Sequence, residues 1–473
     1  MNSTESLIYI IPELLLFTFS LLVLALGALY KNRNILGVVS LSAVGLAALF
    51  LFKSHSAPGP LFFNLLSRDS FSQYFCGLTL LCAFVVILIS MGYRLLSERY
   101  PAEYYFLILN AAAAIMLLVS SNNLLMVYVS LEMLSLTSCI LISFLRGDIF
   151  ASESALKYFI FGAFSSAIML FGISYAYGIF GTTDLSQISR LLSVGSLNNY
   201  AVFTALVFIL AGFAFKCSLV PFHMWAPDVY QGAPTPITAF ISVAPKIAGF
   251  ALLLRVFLNS FASLTLHWSG LFTLISILTM TAGNLIAVSQ TNIKRMLAYS
   301  SIAHAGYILI GLAVGTPLGI RAAVFYIFSY LYMNLGAFAC IVLISNSIKS
   351  DNIEDYAGCY KREPFSAFFL AMFLLSLAGI PPLAGFLAKF LVFAAAIQAK
   401  FVLLAVIAAI NSAIALYYYA KVIKYIYLSE PQIKEAVPTP LPLQLALLIT
   451  LSGIFIIGLY PHPFLRWITA LHF

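Results

Sequence analysis

The sequence predicts an all-α, multi-pass membrane protein of about fourteen spanning helices. Composition gives the first reason: 62% of the 473 residues are hydrophobic and only 8% are charged. Mean hydropathy is +1.03, whereas an ordinary globular chain is only about half apolar. The second reason is periodicity. Apolar runs of about 20 residues, the length that crosses a bilayer, recur from end to end with short loops between them. A helix satisfies every backbone group of such a run internally, as the hydrocarbon requires.

In chain order the predicted spans are 6–29, 35–52, 71–94, 104–121, 124–145, 153–179, 199–225, 233–258, 268–289, 295–314, 319–346, 364–396, 401–427 and 441–460. The first is interrupted by Pro12 and Glu13, follows Glu5 and has no basic stretch before it, which argues against a cleavable signal. The longest loops, 53–70, 180–198, 347–363 and 428–440, are too short to fold alone. The six cysteines form no CxxC pair and read as small buried hydrophobes, not as a disulfide, zinc or iron–sulfur framework.

An even number of spans puts both termini on one side. With that side outside, the inner ends carry Lys31, Arg33, Arg94, Arg99, Arg146, Lys294, Arg295, Lys349, Lys361, Arg362, Lys421, Lys424 and Lys434. The outer ends carry only Lys53, Arg68, Arg190, Arg255, Arg321, Lys400 and Arg466. The excess of inner cations favours a bacterial inner membrane with both termini periplasmic. The net charge of +8 is therefore read as loop charge that sets topology, not as a nucleic-acid surface.

Two spans look broken. The seventh reads FKCSLVPFHMWAPDVYQGAPTP, with Pro221 five residues after Lys216; the twelfth reads SLAGIPPLAGFLAKF, with Pro381 and Pro382 ahead of Lys389. Proline removes a donor and frees a carbonyl one turn back. Unwound backbone at that depth is tolerated only inside protein or beside a polar cavity. The breaks lie five spans apart, an odd number, so equivalent helices run in opposite directions. That predicts two inverted five-helix repeats, spans 4–8 and 9–13, as in many transporters. The expected divisions are 1–100 for spans 1–3, 101–260 and 261–430 for the repeats, and 431–473 for the last span.

Four charges sit deep in apolar runs: Glu132, Lys216, Lys246 and Lys389. A charge at mid-bilayer costs about 3 kcal/mol or more, so such groups face the interior and mark ion or proton paths. Glu132 lies in NLLMVYVSLEMLSLTS, with Tyr128 and Ser135 on the same face as expected hydrogen-bond partners. Lys216 is the expected partner of that carboxylate. Desolvation favours the neutral amine and a carboxylate the charged one, so a lysine between the two influences can take or release a proton. Lys246 follows Pro245, which frees the carbonyl of Ile241 and is expected to loosen the helix there. Lysine suits all three posts because arginine effectively never deprotonates. The alternative is structural: a static Glu132–Lys216 ion pair, and lysines that cap freed carbonyls at Lys246 and Lys389.

His304, among Ser300, Ser301 and Tyr307, is the candidate relay. His223, just past Pro221, is a candidate for proton uptake at the inner surface. Glu153 and Lys157 read first as an i,i+4 ion pair and second as a modulator of Lys216. Asp228 reads as a loop cap and not as a carrier. No P-loop, dinucleotide fingerprint or paired-histidine haem or metal site is present. The chain is expected to hold no cofactor and to do no redox chemistry itself.

Four strings carry a resemblance: SLEM at 130–133, FKCSLVPFHMWAPDVYQGAPTPITAF at 215–240, TNIKRMLAYSSIAHAGY at 291–307 and GIPPLAGFLAKF at 379–390. They resemble the antiporter-like, proton-pumping subunits of respiratory complex I, and most of all the N-type subunits of bacterial NADH-quinone oxidoreductase, with plastid and mitochondrial counterparts in the same set. The resemblance implies a coupled pair at Glu132 and Lys216, a central lysine at Lys246 and a terminal lysine at Lys389. M-type subunits carry glutamate at that last post, and L-type subunits carry a long C-terminal lateral helix after the last span. The implied function is proton translocation in the membrane arm, coupled to NADH-to-quinone electron transfer. NADH, FMN, iron–sulfur clusters and quinone would belong to partner subunits, and an M-type neighbour and small membrane subunits would be direct partners. The alternatives are a subunit of an Mrp-type cation/proton antiporter and a non-conducting scaffold.

Overall fold

The computed structural model describes residues 3–30, 32–53, 59–93, 100–145, 147–194, 199–430 and 440–471. Of the topology-setting charges, Lys31, Arg94, Arg99, Arg146 and Lys434 lie outside the described residues. Each predicted span is a helix or a helix pair. Helices α1 (Ser3–Tyr9) and α2 (Ile11–Leu29) make the first, followed by α3 (Arg33–Lys53) and α4 (Ser70–Met91). Next come α5 (Pro101–Val119), α6 (Leu124–Ile142), α7 (Ile149–Phe180), the short α8 (Leu185–Val194), α9 (Asn199–Cys217), α10 (Trp225–Gly232) and α11 (Thr235–Leu253). Then follow α12 (Thr265–Val288), α13 (Ile293–Val314), α14 (Pro317–Ile348) and the one-turn α15 (Cys359–Arg362). The chain continues through α16 (Pro364–Ala378), α17 (Ala384–Gln398), α18 (Val402–Leu428), α19 (Leu441–Leu459) and α20 (His462–Thr469). Among the described helices, 13 are long and apolar enough to cross a membrane, and the broken pair α16–α17 makes the remaining predicted span. The chain is a multi-pass membrane protein.

The two five-helix units share one packing plan. In the first, α7 lies against α9 and α10, and α11 closes on α5, α6 and α9. In the second, α14 lies against α16 and α17, and α18 closes on α12, α13 and α16. Their junctions match bond for bond. Leu124 N–H donates to Thr183 C=O (2.9 Å) and Leu185 N–H to Asn122 C=O (3.0 Å). In the second unit Ile293 N–H donates to Asp351 C=O (2.8 Å) and Ile353 N–H to Thr291 C=O (2.8 Å). Asn123 and Asn292 cap the helices that follow, each side chain accepting from a backbone N–H of the first turn. The long helices α7 and α14 both have 32 residues.

Two short helices form where the sequence predicts loop or tail. Helix α8 buries Leu185 and Ile188 under a polar face. In α20, Trp467 packs edge-on against Tyr74 (4.8 Å) and Phe464 against Phe328 (5.2 Å). Both are too short and too amphipathic to span, as expected of helices lying at an interface. Two cations counted as loop charges are instead buried. Arg68 pairs with buried Glu13 and donates to Tyr9 C=O (3.1 Å), tying α4's approach to the first span. Arg255 pairs with Asp69 at 2.9 Å and stacks on Phe71. Buried charges need such partners.

Helices α12 and α13 pack closely because two glycines let the backbones touch. A Cβ on Gly306 would lie 2.7 Å from the Met280 backbone nitrogen, and one on Gly283 2.7 Å from that of Ala303. Backbone cannot yield as a side-chain tip can. The Gly306→Val variant is therefore expected to lose about 1–3 kcal/mol through overpacking, read as a lower Tm of the detergent-solubilised assembly.

Candidate functional site

Glu132 sits midway along α6, half-buried, and accepts a short hydrogen bond from Ser166 on α7. Tyr128 and Ser135 are not its partners: Ser135 hydroxyl donates to Leu131 C=O on its own helix (2.8 Å). Lys216, near the end of α9, is fully buried and donates to Tyr158 on α7 at 2.9 Å. Its ammonium lies over the rings of Tyr158 and Phe215 (5.2 and 5.3 Å). The expected direct Glu132–Lys216 contact is absent from the ion pairs of the described residues. Tyr158 and Ser166 are eight residues apart, on one face of α7, so α7 stands between the two charges. A cavity of about 30 Å³ lined by Glu132, Ser135, Tyr158 and Gly162 reaches from the carboxylate to the tyrosine that Lys216 bonds. It has room for one water.

The break after α9 places Ser218 at φ 58°. The carbonyl of Phe215 accepts from Ser218 N–H and from Trp225 Nε1, both at 3.1 Å. Val220 N–H donates to Thr279 hydroxyl on α12 (3.1 Å). His223 lies in this turn, half-buried, with Nδ1 lacking a partner among the described residues. Lys246 is buried on α11, which runs through Pro245 without breaking; the expected loosening is not seen. Its ammonium donates to the Ser301 carbonyl on α13 and faces the Tyr330 ring. Gly249, one turn on, brings α11 to Lys216: a Cβ there would lie 3.3 Å from the Lys216 Cβ.

His304 is buried on α13 between two tyrosines. Its Nδ1 is 2.8 Å from Tyr326 hydroxyl on α14 and its Nε2 3.3 Å from Tyr419 hydroxyl on α18. Tyr419 in turn meets Ser300 hydroxyl. Lys389, in the first turns of α17, donates to the freed Ala378 carbonyl (2.8 Å) and to Ser412 hydroxyl on α18 (3.0 Å). It lies over the Tyr307 ring, which packs beside His304. Gly379, at φ 91°, makes the turn that exposes this carbonyl. Within the described residues, none of the three lysines has a carboxylate in contact.

A different cluster collects where α6, α10, α12 and α14 end. The expected Glu153–Lys157 pair forms at 2.6 Å. Lys157 also meets Asp228 at 2.7 Å, and Asp228 meets Arg295 of the second unit at 2.5 Å. Asp228 is therefore a bridge between the repeats, on α10, and not a simple loop cap. Partial burial would raise its carboxyl, but the bonds from Lys157 and Arg295 outweigh that and hold it below the usual carboxylate range.

Known proteins share this architecture. The family described as NADH:quinone oxidoreductase/Mrp antiporter, transmembrane, covers residues 121–415. The chain belongs to that family. It is 39% identical to NADH-quinone oxidoreductase subunit N of Trichlorobacter lovleyi, over 98% of this chain and 96% of that one. It is equally 39% identical to F(420)H(2) dehydrogenase subunit N of Methanosarcina mazei, over 98% and 97%. Among solved structures it resembles a chain of respiratory complex I from Thermus thermophilus with bound Aureothin, at TM-score 0.82 and 32% identity, covering 98% of this chain and all of that one.

The matched family region runs from the start of α6 into α18, and so contains all four deep charges. Several polar groups of this family member were not singled out from sequence: Tyr158, Ser166, Tyr326, Tyr330, Ser412 and Tyr419. Asn284 on α12 is another. It donates to Tyr307 hydroxyl (3.0 Å) and to Asn411 on α18 (3.3 Å), and accepts from Tyr418 (3.0 Å). Asparagine inside an apolar run is a legible signal. One tyrosine among 26 is not.

Asp228 gives a prediction with a definite pH sign. Its depressed carboxyl contributes stability above the unfolded value of about 3.9, and that contribution is lost only as pH falls through the lower folded value. Asp228→Asn is expected to lower the Tm of the assembly by the same amount at pH 6 and pH 8. A dependence on pH in that window would mean that Asp228 titrates.

Proposed function

We propose that the chain is the N-type proton-translocating subunit in the membrane arm of an NADH-quinone oxidoreductase. The observation that carries this reading is the axis itself: three buried lysines on separate helices, held by hydroxyls and carbonyls instead of carboxylates, in a chain alignable end to end with subunits named N. A static ion pair would hold Lys216 against a carboxylate, whereas its partner is the Tyr158 hydroxyl. Here each ammonium has only neutral acceptors, so its charge is free to follow a change elsewhere.

Glu132 is the input. It is half-buried on the α6–α7 face, where a neighbouring membrane-arm subunit, M-type or one of the small membrane subunits, would cover it. A change of charge there acts on Lys216 through the water-sized cavity and Tyr158. The proton passes to Lys246, across Gly249, then by way of His304 and its tyrosines to Lys389. The gaps between Lys216 and Lys246, and between His304 and Lys389, need water as carrier. One pKa unit is only about 1.4 kcal/mol, so the charges must respond together.

NADH, FMN, iron–sulfur clusters and quinone belong in this reading to partner subunits, with none held by this chain. The two subunit N relatives differ in the donor of their enzymes, consistent with donor choice lying elsewhere. The charge asymmetry of the loops supports a bacterial inner membrane with periplasmic termini. The test is proton pumping by the assembled complex in sealed vesicles, in sodium-free medium. Sodium-independent pumping driven by NADH supports the reading. Transport that needs sodium and no electron donor would instead identify an Mrp-type antiporter subunit.

A further inference from the structure

Two neighbouring pairs of residues on α18 divide their contacts in the same way. The first member of each pair reaches Asn284 on α12. Asn284 Nδ2 donates to Asn411 Oδ1 (3.3 Å), and Tyr418 hydroxyl donates to Asn284 Oδ1 (3.0 Å). The second member of each pair reaches a proton post of the second unit. Ser412 hydroxyl accepts from Lys389 (3.0 Å), and Tyr419 hydroxyl lies 3.3 Å from His304 Nε2. Asn411 and Tyr418 are seven positions apart, as are Ser412 and Tyr419. Seven positions are two helical turns, so each set forms a stripe spanning about 10 Å along α18. One stripe meets Asn284 and the other meets the two posts.

Asn284 and Asn411 are both buried. Asn284 Nδ2 also lies within bonding distance of Met280 C=O on its own helix (2.8 Å) and of Tyr307 hydroxyl on α13 (3.0 Å). Asn411 Nδ2 reaches Thr281 hydroxyl on α12 (3.2 Å). Asn284 therefore ties α12, α13 and α18 together at one point. Tyr307 carries Lys389 over its ring (5.1 Å) and packs edge-on beside His304 (5.9 Å). A buried amide is costly unless bonded, and a satisfied buried network specifies one arrangement of the helices that carry it. The rotation of α18 is thus set at Asn284. Each post also has a partner outside α18, the Ala378 carbonyl for Lys389 and Tyr326 hydroxyl for His304.

We propose that Asn284 is a positioning residue for proton transfer between His304 and Lys389. It bonds neither post. It holds α18 at the rotation that brings Ser412 to one post and Tyr419 to the other, and it holds the Tyr307 ring against both. At a side-chain radius of about 6 Å, a turn of α18 by about 20° moves a side-chain tip about 2 Å, enough to break a hydrogen bond. Ser412 and Tyr419 share a stripe, so both posts lose their α18 partner together. The assignment rests on the pumping reading above and deepens its last step.

The experiment uses the complete complex in sealed inside-out vesicles, with assembly read on a native gel. Asn284→Leu removes the amide and keeps a side chain of similar size. It is expected to lower pumping and coupled quinone reduction by about 10- to 100-fold, the scale on which a misplacement of about 1 Å acts. Asn284→Asp, which in neutral form still donates and accepts, is expected to retain more activity than Asn284→Leu. The decisive readout is a double-mutant cycle. Ser412→Ala and Tyr419→Phe each lower turnover in the native background, and each is expected to add little once Asn284→Leu is present. A residue that only stabilises the fold would leave those losses multiplying. If Asn284→Leu does not assemble, Tyr418→Phe, which removes one bond to Asn284 and keeps the ring, takes its place in the cycle. Wild-type pumping in the assembled variant, or losses that multiply, overturns the positioning role and leaves the pump reading standing. If the unmodified complex pumps no protons, the pump reading falls and the positioning role with it.

Discussion

Lys216→Met is expected to give a complex that assembles but does not pump. Methionine matches the length of the lysine stem and suits an apolar cage, and Lys216 lies over the rings of Tyr158 and Phe215. The substitution removes one hydrogen bond, to Tyr158, and leaves that hydroxyl to rotate. No carboxylate is left buried and unpaired, because Glu132 is held by Ser166 and not by Lys216. Packing cost is therefore expected within about 1.5 kcal/mol, too little to unfold a bundle of this size. Loss of a proton-transfer group, by contrast, costs on the order of 100-fold or more. The measurement is proton pumping and coupled quinone reduction per assembled complex, with assembly read on a native gel. Full pumping in an assembled complex would make Lys216 a structural charge.

The helices were legible because each is an apolar run of bilayer length, and hydrocarbon leaves the backbone no other choice. The inverted repeat was legible only through its two proline breaks. Its stronger signature, the matched hydrogen bonds at Asn123 and Asn292, joins residues about 60 apart within each unit, a distance that no local pattern spans. The four deep charges were found by their cost. Their pairing was not, because sequence gives the depth of a residue on its helix but not the rotation of one helix against another. That rotation put α7 between Glu132 and Lys216, and so made Tyr158 and Ser166 the immediate partners. Asp228 was misread for the same reason. Its two cations come from α7 and α13, which only the fold brings together. Arg68 and Arg255 looked like loop charges because they flank spans, yet Glu13 and Asp69 draw them inside.

Lys389 is where a structural and a functional role can be separated most sharply, because the geometry supports both. Its ammonium is the nearer of two donors to the carbonyl that the α16–α17 break leaves open, the other being Ser412 hydroxyl at 3.5 Å, and weakening such a buried cap costs up to about 1–3 kcal/mol. Lys389→Met is consequently ambiguous: it removes the cap and the carrier together. Lys389→Arg is not. A guanidinium keeps the positive charge and can still donate to Ala378 and Ser412, but it does not release a proton in a protein. If Lys389 only caps the break, the arginine variant is expected to assemble and pump as the wild type does. If it carries protons, the variant is expected to assemble and to lose most of its pumping. The side chain is closely held, with a Cβ on Gly379 falling 3.0 Å from its Cδ, so the larger guanidinium could distort the turn. Lys389→Glu controls for this. Glutamate is smaller, gives up the cap when ionised and still exchanges protons, and it is the residue the resemblance places at this post in M-type subunits. A carrier role predicts that glutamate retains more pumping than arginine despite being the poorer cap. A capping role predicts the reverse order, and pumping per electron measured on the two assembled complexes decides between them.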